Sequence, residues 1–383
     1  MTSIGLIAEY NPFHNGHMYQ LKKIKELYPD STIILILSGN FTQRGDVSII
    51  DKWKKTSIAL KAGVDLVIEL PFPFATQSAD YFSYGAITLL EHLKVEKLVF
   101  GSESDNLEDL KLIASTQLNN EEFDKLVKIY SKLGYNYPTA LSKSLEDLTG
   151  KKIDTPNDLL GVSYIKTILK YNYKIEPVII KRINNYHEKE LNKTFSSATS
   201  IREALKRNNQ VTGEVPKFVL PYLNRLHYLD DYFMILKYKI ITTPNLEIYQ
   251  TVDQGFDKIL KKYINDIYTI DELIKKIKSK KYTYNKINRM LLHILCNFKK
   301  SDANIFKKIS YIRILGFNDK GRVYLNSVKK DIDIPIISKI TKNKDKMLEF
   351  EINTSKIYDI TYNEKLYKKE FQKINYFNNT KEI

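Results

Sequence analysis

The chain is poor in sulfur, histidine and tryptophan: one Cys, five Met, six His and one Trp among 383 residues. A single cysteine, Cys296, excludes an intramolecular disulfide and fits a reducing compartment. With six histidines and no CxxC or HExxH pattern, no metal-ligand framework is expected. No apolar run approaches the ~20 residues that a membrane helix needs, so no membrane partner is expected. The N-terminus lacks a basic stretch leading into a long apolar one, which predicts no signal peptide and a cytoplasmic location. Internal repeats and long low-complexity tracts are also missing.

What is there begins with charge. Lys and Arg number 60 against 45 Asp and Glu, a formal net charge of +15. Such an excess suits a polyanionic partner, although a chain rich in Lys, Asn, Ile and Tyr is also what an AT-rich genome produces. Hydrophobic residues make up 43%, enough for a packed core, and the length allows two domains.

Strand-like and helix-like stretches alternate through the first half. Apolar runs at Ser3–Ala8, Thr32–Leu37, Asp65–Leu70, Lys97–Gly101 and Ile175–Ile180 read as strands. Helical spacing marks 16–28, 52–62, 79–93, 121–133, 137–148 and 158–171. This alternation predicts an α/β fold: a Rossmann-like parallel sheet with its strand C-termini along one ligand-binding edge. After Gly213 and Pro216 strand-like runs become scarce. Lys-rich amphipathic segments follow, notably Ile274–Lys281 and Tyr284–Phe298, while 305–337 reads as mixed. Two domains are expected, 1–212 binding a nucleotide and 213–383 mainly helical and basic.

Directly after the first strand comes Glu9-Tyr10-Asn11-Pro12-Phe13-His14-Asn15-Gly16-His17, and helical spacing resumes through Leu21, Ile24, Leu27 and Tyr28. Two imidazoles therefore sit at a strand-to-helix turn, where free backbone N–H groups and the helix dipole favour a phosphate. Gly16 permits close approach of a ligand, and His14 and His17 can donate to phosphate oxygens. That equipment stabilises charge on an α-phosphate while pyrophosphate leaves. Read alone, the pair could also be turn residues or half of a metal site.

The spacing resembles the HxGH motif of the HIGH-type nucleotidylyltransferases, which bind ATP on a Rossmann-like sheet. Four further runs narrow the match: Ser38-Gly39-Asn40-Phe41-Thr42-Gln43-Arg44-Gly45-Asp46, Asp51-Lys52-Trp53, Gly63-Val64-Asp65-Leu66-Val67-Ile68-Glu69-Leu70-Pro71 and Phe100-Gly101-Ser102-Glu103. Together the chain resembles the tRNA(Met) cytidine acetate ligase family, closely in the first half and more loosely in the second. The resemblance implies an ATP-dependent ligase that activates acetate as acetyl-adenylate. The acyl group would then pass to N4 of the wobble cytidine of elongator tRNA(Met). It implies His14 and His17 as catalytic, and ATP contacts along Ile7, Ala8, Glu9, Tyr10, Asn11, Pro12, Phe13, His14, Asn15, Gly16 and His17. It adds Gly101, and Asn157 of Pro156-Asn157-Asp158-Leu159-Leu160-Gly161, where capping alone would also explain the Asn. The run Phe195-Ser196-Ser197-Ala198-Thr199-Ser200-Ile201-Arg202 resembles the superfamily's ISSTxIR motif and adds Ser197 and Thr199.

Other candidates come from the residues themselves. Arg182 follows a strand at the same sheet edge, where its fork suits phosphate. Lys280, Lys281, Arg289, Arg313 and Arg322 stand among tyrosines and phenylalanines in the second half, a mixture suited to RNA backbone and unpaired bases. Arg44, Asp46 and Lys52 read as a charged loop near the site that could hold acetate or Mg²⁺. Asp65 and Glu69 read equally as buried structural acids or magnesium ligands. Mg²⁺ is expected with ATP, without assigned protein ligands. Two other functions remain open on residues alone: a small-molecule adenylyltransferase, against which the large basic second half argues, and a non-catalytic nucleotide-sensing RNA-binding protein, against which the two histidines argue.

Overall fold

The computed structural model describes residues 2–182, 196–341, 345–372 and 375–376. Five parallel strands form the body of one sheet: β1 (Ser3–Ala8), β2 (Thr32–Ser38), β3 (Leu66–Leu70), β4 (Lys97–Ser102) and β5 (Glu176–Lys181). All five expected strands are present, each within a residue of its expected ends. The helices Asn15–Leu27, Lys52–Lys61, Ala79–His92, Glu121–Lys132, Tyr137–Thr149 and Pro156–Tyr171 follow the helical spacing. Leu107–Asn119 is a further helix that the spacing did not single out, opened by an Asn106 cap on Asp109 N.

Strands buried on both faces serve two cores. Ile33, Leu35 and Leu37 of β2 join one with Leu21, Ile24 and Ile58. Ile34 and Ile36 join the other with Ala86, Leu90 and Ile165. The second core continues without a break into Leu291, Ile294 and Phe298 of the second half. Phe298 packs against Phe72, Phe306 and Phe350, welding the two halves together.

The second half is mainly helical, as expected, but it also completes the first sheet. β6 (Ile312–Phe317) pairs antiparallel with β3. Its other side carries β7 (Ile336–Ile337) and β8 (Asn375–Tyr376). The strand order is β5-β4-β1-β2-β3-β6-β7, with β8 off this path on β6. The division at 212/213 therefore separates composition rather than sheets.

This order contains a switch point. From β1 the chain steps through β2 to β3 on one side, and places β4 and β5 on the other. At such a point neighbouring connections leave in opposite directions and a crevice opens beyond the strand C-termini. Here β1 and β4 pair only at Ile4 with Lys97 and Gly5 with Leu98. Beyond that pairing they part, leaving His14 beyond one strand end and Gly101 on the other.

Candidate active site

The HxGH turn is a helix cap built from two imidazoles. His14 is the N-cap of the helix Asn15–Leu27, and its Nδ1 accepts from Gly16 N at 3.1 Å. His17, three residues on, accepts from His14 N through its own Nδ1 at 3.2 Å. This is the reciprocal geometry of a capping box, with ring nitrogens in place of oxygens. It fixes the tautomer of both rings: with Nδ1 accepting, the proton of a neutral imidazole lies on Nε2. The rings lie 3.8 Å apart, 30° from parallel.

Both rings stay neutral. Burial, with the charges of Arg182 and Arg202 nearby, lowers the His14 pKa to about 3. Burial and His14 itself hold His17 well below the usual value. A neutral Nε2–H still donates a hydrogen bond, and the positive field comes from the two arginines.

The rest of the turn supports this cap. Tyr10, in the left-handed region at φ 45°, buries its ring against Phe13 and His17. Tyr10 is 2% exposed and Phe13 fully buried, so their side chains belong to the core beneath the turn. The Asn11 side chain accepts from Ile49 N, and Asn15 donates to Gly213 O. Arg202 donates to Asn11 O at 2.8 Å and to Thr199 Oγ1, tying the second motif to the first. Ser197 caps the helix Ala198–Lys206 by accepting from Ser200 N. Phe195 of that motif lies outside the described residues.

Across the crevice, the ends of β4 and β5 converge on Glu103. Asn157 donates to Glu103 Oε1, and Arg182 Nε lies 3.5 Å from the same oxygen. Glu103 Oε2 and Arg182 Nε are buried without a hydrogen-bond partner among the described residues. Asp158 shapes the loop beneath by accepting from Ser102 Oγ, Glu103 N, Ser104 N and Thr155 Oγ1. Gly101 has a neighbour that the sequence did not reveal. A Cβ there would lie 3.1 Å from Arg182 Cγ, so the glycine first makes room for the arginine stem. Gly101, Asn157 and Arg182 thus come together, and Glu103 is the residue on which they meet. Its signal was its place in the Phe100–Glu103 run, two residues past Gly101.

Several expectations are corrected. Lys52 is not in a charged loop. It opens the helix Lys52–Lys61 fully buried, 2.6 Å from both Glu69 and Glu370. Asp65 accepts from Ile33 N and Asn318 Nδ2. Both acids of the third strand region are therefore structural, and no cluster of three metal-ligating side chains occurs among the described residues. Arg313 is 1% exposed on β6, with its guanidinium on Glu370, so it cannot reach an RNA. Arg289 donates to Gln43 O instead of lining a solvated face. Arg322 is exposed and paired with Asp319, but its helix abuts Ser31 and Asp65, at the opposite edge of the sheet from His14. Lys280 and Lys281 are exposed, and Lys281 lines an open cavity of about 660 Å³ with Thr251, Asp253, Gln254 and Lys300.

Comparison with known proteins agrees with this geometry. Residues 1–373 match the model of the HIGH Nucleotidyl Transferase family. The tRNA(Met) cytidine acetate ligase of Caldicellulosiruptor saccharolyticus is 38% identical over 380 residues, 95% of each chain. That of Clostridium perfringens is 38% identical over 381 residues, 94% of this chain and 95% of its own. Among solved structures, Thermotoga maritima TmcAL in its apo form superposes with a TM-score of 0.91 at 29% identity, covering 99% of this chain and 100% of its own. The same protein bound with alpha-thio ATP gives 0.88 with the same coverage. No helix among the described residues is long and apolar enough to cross a membrane. Sheet, switch point, imidazole cap and near-full-length similarity agree, and the chain belongs to the HIGH nucleotidyl transferases and, within them, to the tRNA(Met) cytidine acetate ligase family.

Proposed function

We propose that this protein activates acetate with ATP and transfers the acetyl group to N4 of the wobble cytidine of elongator tRNA(Met). The observation that carries the reading is the imidazole cap. Two Nε2–H donors stand at a helix N-terminus beside Arg182 and Arg202, beyond the crevice between β1 and β4. Such a site binds a triphosphate and stabilises the charge that develops as pyrophosphate leaves. An acetate oxygen attacks the α-phosphorus, the bond to the bridging oxygen breaks, and pyrophosphate carries the electron pair away. The N4 amino group of cytidine then attacks the acyl carbon, AMP departs, and the amine loses its proton.

In this reading Asn157, Glu103 and Arg182 hold the nucleoside end. An orphaned carboxylate oxygen beside an orphaned guanidinium N–H suits a hydroxyl, which donates to one and accepts from the other. Mg²⁺ would enter on the phosphates of ATP, since the described residues supply no cage of acids for it. The tRNA is proposed to lie along Lys280, Lys281 and the cavity shared with Lys300. The decisive test is pyrophosphate release from ATP with and without acetate, followed by acetyl transfer to tRNA(Met). Release that ignores acetate would overturn the activation step, and an absence of acetylated cytidine would overturn the transfer.

A further inference from the structure

Lys55, in the first turn of the helix Lys52–Lys61, is fully buried and has no part in the chemistry above. Its Nζ lies 2.9 Å from Glu9 O, 2.7 Å from Ser38 O and 2.6 Å from Gly39 O. These carbonyls belong to the two strand ends that frame the active edge. Glu9 follows the last residue of β1, Ser38 ends β2, and Gly39 begins the loop that runs on to Gln43. An ammonium has three N–H donors and no acceptor, so three carbonyls use it fully. All three carbonyls turn their partial negative charge onto this one ammonium. Unsatisfied, the three oxygens would repel one another and push the two strand ends apart.

We propose that Lys55 is a positioning residue: its ammonium draws the ends of β1 and β2 together, holds the phosphate turn in its binding geometry, and does so only while charged. The inference rests on the nucleotide reading above. Deprotonation would leave two N–H donors for three carbonyls and remove the positive charge beneath the turn.

The surroundings make that deprotonation accessible. The ionisable groups around Lys55 are Glu9 beyond β1, Asp51 at the cap of its own helix, Glu69 on β3 and the like-charged Lys52. Each acid is committed elsewhere: Glu9 to Gln43 N, Asp51 to Trp53 N and Lys54 N, Glu69 to Lys52. Burial therefore dominates and lowers the Lys55 pKa to about 7. A bound polyanion favours the charged form and raises it again, so nucleotide binding takes up a proton.

The sign follows from linkage. ATP binds the charged form, so affinity falls as pH rises through the free-state pKa, at most about tenfold per pH unit. Lys55→Arg keeps its charge throughout and should bind ATP with no such fall. Lys55→Met has neither donors nor charge and should bind weakly at every pH. The experiment is calorimetric ATP binding by the full chain between pH ~6.5 and ~9 for these three proteins, with circular dichroism as the folding check. Superimposable pH profiles of wild type and Lys55→Arg would overturn the proposal, as would native affinity in folded Lys55→Met. If Lys55→Met does not fold, the comparison with arginine still decides. A wild type that binds no ATP at any pH would overturn the nucleotide reading itself, and this inference with it.

Discussion

Gly45 stands directly against the backbone of Arg289. It has φ +79°, and a Cβ there would lie 2.2 Å from Arg289 N and 2.5 Å from Asn288 C. The loop carrying Gly45 is tied at Gln43 to both halves of the protein: Gln43 N donates to Glu9 Oε1 beside the phosphate turn, and Gln43 O accepts from Arg289. A helix of the second half is thereby fastened to a loop of the nucleotide edge. Gly45→Ala must move one or the other, and its positive φ adds strain. The expected result is a loss of about 1–3 kcal/mol in urea unfolding together with weaker ATP binding. Unchanged stability would mean that the contact is looser than it stands here.

His17 has two duties, and two substitutions separate them. His17→Ala removes an Nε2–H donor and also leaves His14 N without its acceptor. Turnover should fall by about 10²–10³, as for a lost oxyanion donor, and stability by about 1 kcal/mol, as for a lost cap. His17→Gln keeps an acceptor at the third helical position, so stability should largely return. Activity should stay low. Thermal melts and pyrophosphate release on both variants check this, and restored turnover in His17→Gln would sink the donor role.

Because Asn157 donates to Glu103, where Arg182 also meets it, the effects of Glu103 and Asn157 on ATP binding should not add. Glu103→Ala and Asn157→Ala, singly and together, should show a coupling of about 0.5–3 kcal/mol in a double-mutant cycle. All three variants should bind tRNA normally, since Glu103 stands on the nucleotide side of the molecule. Strict additivity in ATP titrations would place Asn157 outside this cluster.

Acid should weaken the protein through its histidines. His14 is lowered to about 3, His227 and His293 to about 4, and His17 lies well below its usual value. In each case burial disfavours the imidazolium. Between those values and ~6.5 the unfolded chain binds the extra protons, so stability is complete near neutrality and falls as pH drops through that window. Glu69 and Glu351, raised by burial, act in the opposite sense. His293→Asn isolates one contribution: its melting temperature should fall less between pH ~7 and ~5 than that of wild type. Equal losses in both proteins would show that His293 does not contribute.

Much of the fold was legible because its signals are local. Apolar runs of strand length, broken by Asn, Gly and Pro, located β1 to β5, and the HxGH spacing located the strand-to-helix turn with its two imidazoles. What escaped depended on distant partners. Arg313, read among Tyr311 and Phe317, looked like an RNA contact, but Glu370, 57 residues away, makes it a buried ion-pair member. β6 escaped for the same reason, because its partner β3 lies far back in the chain. Lys52 and Lys55 carried a weak sign of burial: with Ile58 and Ala59 they share the inward helix face, where two lysines in an apolar stripe imply enclosed partners.

The tRNA surface is where local reading separated least well, because exposure is decided by partners far along the chain. Arg313 is buried inside the molecule, Arg289 is half-buried against the Gln43 loop and Arg322 faces the far edge, so neutralising Arg289 would disturb the Gln43 loop as well as any RNA contact. Lys280, Lys281 and Lys300 are better placed. Lys281 and Lys300 line one open cavity, and Thr251 in its wall meets His293 at 2.9 Å on the helix that fastens the Gln43 loop. Replacing all three by Gln removes positive charge without cutting into either core. Affinity for tRNA(Met) should drop, and the slope of log affinity against log salt should flatten by about two to three, for two or three phosphate contacts. Acetate-dependent pyrophosphate release without tRNA should continue at the wild-type rate, because these lysines lie outside the nucleotide cluster. Filter binding across a salt series, run beside the release assay, reads both. If affinity and slope stay unchanged while release is normal, the RNA does not use this cavity, and the search moves to the arginine-flanked edge beside His14.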